Sequence, residues 1–248
     1  AYAGNNPVLY VEPRGLKFMF TRKSDDGALF AEQLQIITGY TGYSFNSETG
    51  FIEWSPDGEI VGGSEVMRKL IYSLATDESN IIQVIMDENG NPDKSSFNNG
   101  VLTIEGASQL ERLTGVIIHE SVHAYSYYNE FSDRIIFSFA PGNSEQLNIR
   151  LKYYVKKQYE EAIAITVEQQ ARKDLGLAPR ESVVDTEKNM IGVNNYGQFP
   201  WILTHTPNQI MIWDETKVSI YGLVQAAILK SYAQDIVNYI LINEQDGQ

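Results

Sequence analysis

The stretch Gly115–Ala124, with the sequence GVIIHESVHA, constrains this 248-residue chain most, because it places two of the three histidines four residues apart. In an α-helix, side chains four positions apart lie on one face, with their Cβ atoms about 5–6 Å from each other. Two imidazoles at that spacing can bind one zinc ion at about 2.0–2.1 Å. The stretch therefore predicts a helix that carries two metal ligands, His119 and His123.

Glu120 completes the pattern H-E-x-x-H. Its position one step round the helix from His119 lets its carboxylate act as a general base on water without being a ligand itself. A chain of this composition contains the pattern by chance with a frequency of roughly 0.003. The alternative is that both histidines are ordinary half-buried helix residues, but that gives no stability reason for grouping two imidazoles and a carboxylate. We expect Glu120 to be the catalytic residue.

A catalytic zinc site needs a third protein ligand and leaves one position for water. The six residues after His123 read AYSYYN, which excludes the zinc-enzyme classes whose third ligand follows closely. A later helix offers Glu160, Glu161 and Glu168. Glu161 and Glu168 share a face, while Glu160 is rotated away from it. One of these carboxylates would bind the metal and another would hydrogen-bond an imidazole, unless all are simply solvated.

Hydrophobic patterning predicts an α+β fold. Residues 17–106 contain short apolar runs between turns; they predict strands at Phe18–Phe20, Phe51–Trp54, Ile81–Met86 and Val101–Ile104, and helices at Ala28–Thr38 and Ser64–Ala75. The second half is mostly helical, with helices from a Ser108/Glu111 capping box to about Tyr128, from near Gln146 to Leu175 before Gly176, and from about Lys217 to Asn243. We expect a mixed-sheet lobe, then a mostly helical lobe, with the H-E-x-x-H helix between them.

Composition excludes several classes of function. The net charge of -13 repels phosphate backbones, so we expect no nucleic-acid partner. No cysteine is present, which excludes thiol nucleophiles and thiolate metal sites. The most apolar segment, Tyr221–Ile242, contains Lys230, Gln234 and Asp235, so we expect no membrane span.

Residues 1–16, AYAGNNPVLYVEPRGL, resemble the end of an Rhs/YD-repeat core, which has the form Y-x-Y-x-x-N-N-P-V followed by D-P-x-G-L. Seven positions agree: Asn5, Asn6, Pro7, Val8, Pro13, Gly15 and Leu16. Glu12 stands where that family usually has Asp. In Rhs proteins and Tc-toxin C components this motif ends a hollow β-shell and precedes a variable toxin. The resemblance implies cleavage between Leu16 and Lys17, with residues 17–248 as the toxin domain.

Residues 108–181 resemble the zinc metallopeptidases found as Rhs-linked toxins and as type III effectors, and more distantly clostridial neurotoxin light chains. Those have H-E-[LIS]-x-H-A and then a Glu-Glu pair about forty residues later. The pair Glu160-Glu161 matches that spacing. The second Glu of the pair is the metal ligand, so the resemblance implies a zincin-like fold of the gluzincin type with Glu161 as third ligand.

The segment Glu168–Arg180 also resembles the E-N-x-x-R-x-x-x-G-L-x-P-R stretch of the effector group. Gln169 replaces the usual Asn, and Val183-Val184 lies where a Tyr is expected after Arg180.

These resemblances imply a zinc-dependent endopeptidase that is the toxic cargo of an Rhs-type polymorphic toxin, secreted and delivered into the target-cell cytoplasm to cleave a protein there. The implied partners are that substrate, the Rhs/Tc shell before release and an immunity protein. Glu120 would pass a proton from water to the leaving amine. The tetrahedral oxyanion needs a donor, and His205, Arg180 and Tyr221 are equal candidates. The alternatives are a zinc amidase acting on a non-protein or cell-wall amide, and a catalytically inactive interaction module.

Overall fold

The computed structural model of the protein describes residues 17–20, 25–76, 81–129, 160–161, 163–179, 182–184, 190–192 and 235–242. Within these ranges the fold is mixed α+β, as predicted, with a six-stranded sheet, a small two-stranded sheet and five α-helices. The parts of the predicted second-half helices outside these ranges, the segment 1–16, and Arg180, His205 and Tyr221 lie outside the described residues.

The six-stranded sheet has the order β2-β3-β1-β4-β6-β5. Its strands are β1 Lys17–Phe20, β2 Tyr43–Asn46, β3 Phe51–Trp54, β4 Ile81–Asp87, β5 Ser96–Asn98 and β6 Val101–Glu105. Strands β1, β4 and β6 are parallel, and the strands on either side of them pair antiparallel. A further antiparallel pair joins β7 Ser182–Val184 to β8 Met190–Gly192.

One face of this sheet carries the core. Phe18 lies opposite Ile82 across β1 and β4, and Val84 lies opposite Leu102 across β4 and β6, all four buried. Ile81 and Ile85, on the alternate positions of β4, are exposed. This alternation is that of a sheet covered on one side.

Three helices cover the buried face. They are α1 Asp26–Thr38, α2 Glu65–Thr76 and α3 Leu110–Tyr128, and they contact one another. The hydroxyl of Thr114 on α3 donates to Gln33 on α1 at 2.7 Å, which satisfies a buried polar side chain at that helix contact. Helix α3 is therefore fixed against both the sheet and its neighbouring helices, as a site on a rigid element requires.

The second half adds two helices to the same core. Residues 160–161 and 163–174 form α4, and residues 235–242 form α5. Ile163, Val167 and Ile240 are fully buried in one cluster with the sheet residues. At the start of α2, the buried Ser64 donates to Asp174 near the end of α4 at 2.7 Å. The described helices of the second half thus belong to the same hydrophobic core as the sheet.

Helix α4 ends as the sequence predicted, at Gly176. That glycine has φ of 67°, in the left-handed region that favours glycine. The amide of Leu177 donates to the carbonyl of Arg172 at 2.8 Å, and the amide of Gly176 donates to that of Lys173 at 3.2 Å. These two bonds form a Schellman motif, which stops the helix and turns the chain.

The predicted strands and first-half helices are confirmed to within two residues, but two details differ. The predictions omitted β2 and β5, which are three or four residues long and contain polar residues. The capping box at Ser108 is wrong: Gln109 precedes α3 without a side-chain cap, and the Ser108 hydroxyl donates instead to the carbonyl of Glu88 at 2.6 Å. That bond ties the start of α3 to the end of β4, so the hydroxyl no longer serves the helix terminus.

Candidate metal centre

Helix α3 presents both motif histidines where it faces α4. The opposite side of α3 is apolar and buried: Leu113, Ile117 and Ala124 are at most 1% exposed. This apolar stripe fixes the rotation of the helix and leaves His119 and His123 on the side that meets α4. The alternative interpretation, two unconnected half-buried helix histidines, does not fit this placement.

Helices α3 and α4 pack antiparallel. His119 contacts both Glu168 and Glu161, and His123, one turn later on α3, contacts Glu161. Residues later in α3 therefore contact residues earlier in α4. The two acidic residues are seven positions apart on one face of α4, as the sequence indicated, and both meet the motif helix.

Three side chains converge on one point. The Nε2 atoms of His119 and His123 lie 3.2 Å apart, and the Glu161 carboxylate oxygens lie 3.3 Å from the first and 3.5 Å from the second. In a tetrahedral zinc site with bonds of about 2.0–2.1 Å, neighbouring ligand atoms are about 3.4 Å apart. The three separations match that value, so the group has the donor types and the spacing to hold a metal ion.

The group is open to solvent on one side. The side chain of His119 is 9% exposed, that of His123 15% and that of Glu161 26%. The site therefore lies at the surface end of a buried helix contact, where a fourth ligand can arrive from solvent. A site closed on all sides would instead suggest a structural metal.

Charge within the group shifts its pKa values strongly. Burial by itself lowers the pKa of His119, but hydrogen bonds to Glu161 and Glu168 outweigh this and raise it to about 10. Burial, the largest single effect, lowers the pKa of His123, but the charge of Glu161, its hydrogen bond to the ring and the charge of Glu120 together raise that pKa above its ordinary value. Burial raises the pKa of Glu161, whereas the two imidazoles bring it well below its usual value.

Glu120 is buried beside the ligands without being one of them. It is 7% exposed, and its charge contributes to the raised pKa of both imidazoles. The only His, Asp or Glu side chains of the described residues that come together as a metal-binding group are His119, His123 and Glu161. Glu120 therefore lies near the metal-binding group without belonging to it.

Glu168 meets His119 from the far side of its ring. Its Oε2 lies 3.1 Å from Nδ1 of His119, and the carboxylate is 1% exposed. An ionised carboxylate only accepts hydrogen bonds, so this contact favours a proton on Nδ1, and a His119 ring that binds an ion would present the lone pair of Nε2 to it. Glu168 thus contacts the ring from behind, whereas Glu161 belongs to the group that could hold a metal ion.

Glu160 is not part of the metal-binding group within the described residues, consistent with its rotated position on α4. Sequence reasoning gave no role to Arg172, whose Nε donates to Oε1 of Glu168 at 2.8 Å. The i,i+4 spacing of these two residues on one helix was an available signal. The contact of this Arg172–Glu168 pair with His119 on α3 depends on how the two helices pack, which the spacing within α4 does not indicate.

Comparison with models of known protein families, with curated proteins and with solved structures found no match to this chain. A search of the described residues also found no helix that is both long and apolar enough to span a membrane. The metal-binding group is therefore the feature of the molecule that bears on its function.

Proposed function

We propose that the chain is a zinc-dependent endopeptidase. One observation supports this most strongly: two imidazole nitrogens and a carboxylate lie 3.2–3.5 Å apart at a solvent-facing position, with Glu120 buried beside them. Nitrogen and carboxylate donors at tetrahedral spacing, with a position left for water, are typical of catalytic zinc. Zinc bound there would supply a Lewis acid that polarises a carbonyl and lowers the pKa of water.

The protein's own groups supply the remaining chemistry. His119, His123 and Glu161 would hold the ion, and Glu168 would keep the His119 ring in the tautomer that can bind it. Glu120 would accept the proton of the attacking water and deliver it to the departing amine. The donor for the oxyanion stays among His205, Arg180 and Tyr221.

An extended polypeptide is the substrate that best fits the neighbourhood of the site. Within the described residues, β5 is one of the two outer strands of the six-stranded sheet, and it contacts α3. Phe97 of β5 packs against Tyr127 of α3, whose ring centroid is 5.6 Å away, and Tyr127 is half exposed. A free strand edge can pair with an extended peptide through backbone hydrogen bonds. This favours a peptide over a compact non-protein amide.

The experiment is to incubate the purified chain with a lysate of candidate target cells and map new protein termini, with and without chelator. Glu120→Gln is the matched control, because it keeps the ligands and removes the base. New termini that need both metal and Glu120 support the proposal. Release of amines without new protein termini would instead indicate an amidase, and a chain without stoichiometric zinc would indicate an interaction module.

The resemblance of residues 1–16 to an Rhs core further supports a role as toxin cargo, released after Leu16 and active inside a target cell. Its partners would be the Rhs/Tc shell, an immunity protein and the cleaved protein. Expressing the chain in the cytoplasm of bacterial and of eukaryotic cells tests this. Growth arrest in one of them that Glu120→Gln abolishes is the expected result, and arrest by both versions would contradict it.

A further inference from the structure

Arg172 connects three parts of the helix pair. Its Nε donates to Oε1 of Glu168 at 2.8 Å, and its Nη1 donates to the carbonyl of Ala178 at 3.0 Å. The other oxygen of Glu168 faces Nδ1 of His119. Both carboxylate oxygens of Glu168 are therefore committed, one to the guanidinium and one to the imidazole.

This double commitment fixes the rotation of the Glu168 carboxylate. Glu168 is 1% exposed, so water cannot take over a lost hydrogen bond easily. If the guanidinium were absent, Oε1 would lose a charged hydrogen-bond donor in a buried position, and the carboxylate could turn away from His119. The orientation of the His119 ring thus depends on a residue that does not touch it.

Gly115 provides the space that the guanidinium occupies. A Cβ atom at position 115 would lie 2.4 Å from Nη2 of Arg172, far inside contact distance. Gly115 lies in the middle of α3, where glycine costs about 1 kcal/mol relative to alanine. Gly115 is one helical turn before His119, just as Arg172 is one turn after Glu168, so the two pairs form successive rungs between the antiparallel helices.

We propose that Arg172 is a positioning residue for the metal centre: it locks Glu168 in the orientation that presents Nε2 of His119 to the ion, and Gly115 is required because it admits the guanidinium. This inference rests on the metal site proposed above. It assigns a metal-related role to two residues outside the ligand set and the general base.

The first test compares the zinc affinity of Arg172→Gln with that of the unchanged protein, by competition with a chromophoric chelator. Loss of a partner behind a metal ligand typically weakens binding about 10–100-fold, and we expect about tenfold. Arg112→Gln is the matched control, because Arg112 lies on α3, is half exposed and pairs with Asp93 away from the site. It should leave zinc affinity unchanged.

A second readout separates positioning from general stabilisation. The melting temperature is measured in chelator and in excess zinc, because ligand binding stabilises the folded state by an amount that grows with the logarithm of the affinity. A purely structural Arg172 would lower both melting temperatures and preserve their difference. A positioning Arg172 makes the difference smaller, because a tenfold loss of affinity removes about 1.4 kcal/mol of the stabilisation that zinc provides. The visible spectrum of the cobalt-loaded protein should change as well.

Gly115→Ala tests the same idea while keeping Arg172. The added methyl group should displace the guanidinium and weaken zinc binding, although alanine is the better helix former. In the Arg172→Gln background the methyl group has less to displace, so its effect on zinc affinity should disappear. The double-mutant cycle measures this coupling directly.

The outcomes distinguish this inference from the proposed function. An unchanged protein that binds no zinc overturns the metal site itself. An unchanged protein that binds zinc, with Arg172→Gln and Gly115→Ala binding equally well, overturns only the positioning role. Independent, additive effects of the two substitutions would overturn the role assigned to Gly115.

Discussion

The sheet layer and the α3–α4 contact are both buried, yet they are built from opposite kinds of side chain. Across β1, β4 and β6 the buried positions are Phe, Ile, Val and Leu. Between α3 and α4 the buried set includes His119, Glu120 and Glu168. Apolar burial stabilises the fold whatever is bound, whereas buried charges must be paired with each other or with an ion. The sheet layer therefore serves stability, whereas the helix contact has the groups that could hold a metal ion.

The largest expected effect is on catalysis. Glu120→Gln should lower the rate of peptide hydrolysis about 10²–10⁴-fold, because it removes the general base. Zinc content and melting temperature should stay near those of the unchanged protein. The rate is measured on whichever protein gains new termini in the lysate. An active, zinc-loaded Glu120→Gln would assign the base elsewhere.

In the sheet layer, Leu102→Ala should lower the free energy of unfolding by about 2–5 kcal/mol, because it leaves a cavity in a fully buried position. Chemical denaturation in chelator measures this. The zinc affinity of the folded protein should not change. A loss of affinity comparable with that of a ligand variant would show that the two regions are not separable.

At the helix contact we expect the opposite of the Leu102→Ala result: Glu168→Gln should affect zinc affinity more than stability. It should weaken zinc binding about 10–100-fold, since the His119 ring loses its ionic partner. The variant also leaves Arg172 facing a neutral amide, so its stability in chelator should fall modestly. Competition titration gives the affinity. Glu160→Gln, which lies on the same helix as Glu168 but outside the metal-binding group, is the control and should bind zinc normally.

The smallest expected effect is the change in stability and in zinc affinity for each unit of pH. In the metal-free protein, the pKa of His119 is raised from 6.5 to about 10, so its proton stabilises the fold fully below pH 6.5 and this contribution is lost as pH rises towards 10. Glu161 has a lowered pKa, so its contribution is present above pH 4.5 and is lost as pH falls through the lowered value. Zinc must displace these protons, so its apparent affinity should rise by up to about tenfold per pH unit from pH 6 to 9.

Melting curves in chelator and in zinc across that range measure both trends. The chelated protein should lose stability as pH rises, while the difference made by zinc should grow. Parallel pH profiles for the two forms would contradict the assignment of these imidazoles as ligands. Arg112→Gln again provides a control that should reproduce both profiles.

Sequence patterns predicted the sheet layer more completely than the helix contact. Short apolar runs bounded by turn residues, such as Phe51–Trp54 and Ile81–Met86, predicted strands, and they became β3 and β4. Strand β5, with the sequence SFN, has no such pattern, because its pairing with β6 rather than its own composition makes it a strand. Sequence patterns therefore predict strands that depend on their own composition better than strands that depend on pairing with a distant partner.

The site divides in the same way. The H-E-x-x-H spacing predicted that His119, Glu120 and His123 lie on one helix, and all three lie on α3. Helical periodicity also put Glu161 and Glu168 on one face, but it could not say which would meet Nε2 and which Nδ1 of His119. The antiparallel register of α4 against α3 decides that, and it arises from packing between segments about forty residues apart.

The bond from Arg172 to the carbonyl of Ala178 has a consequence beyond the metal. The same guanidinium also donates to Glu168 behind His119, so one side chain links the proposed metal centre to the backbone that follows the Schellman turn of α4. Thermodynamic coupling of this kind is reciprocal. Removal of zinc should increase the rate of amide hydrogen exchange at residues 177–179. A protein that binds to that stretch should, in turn, change the affinity of the site for zinc.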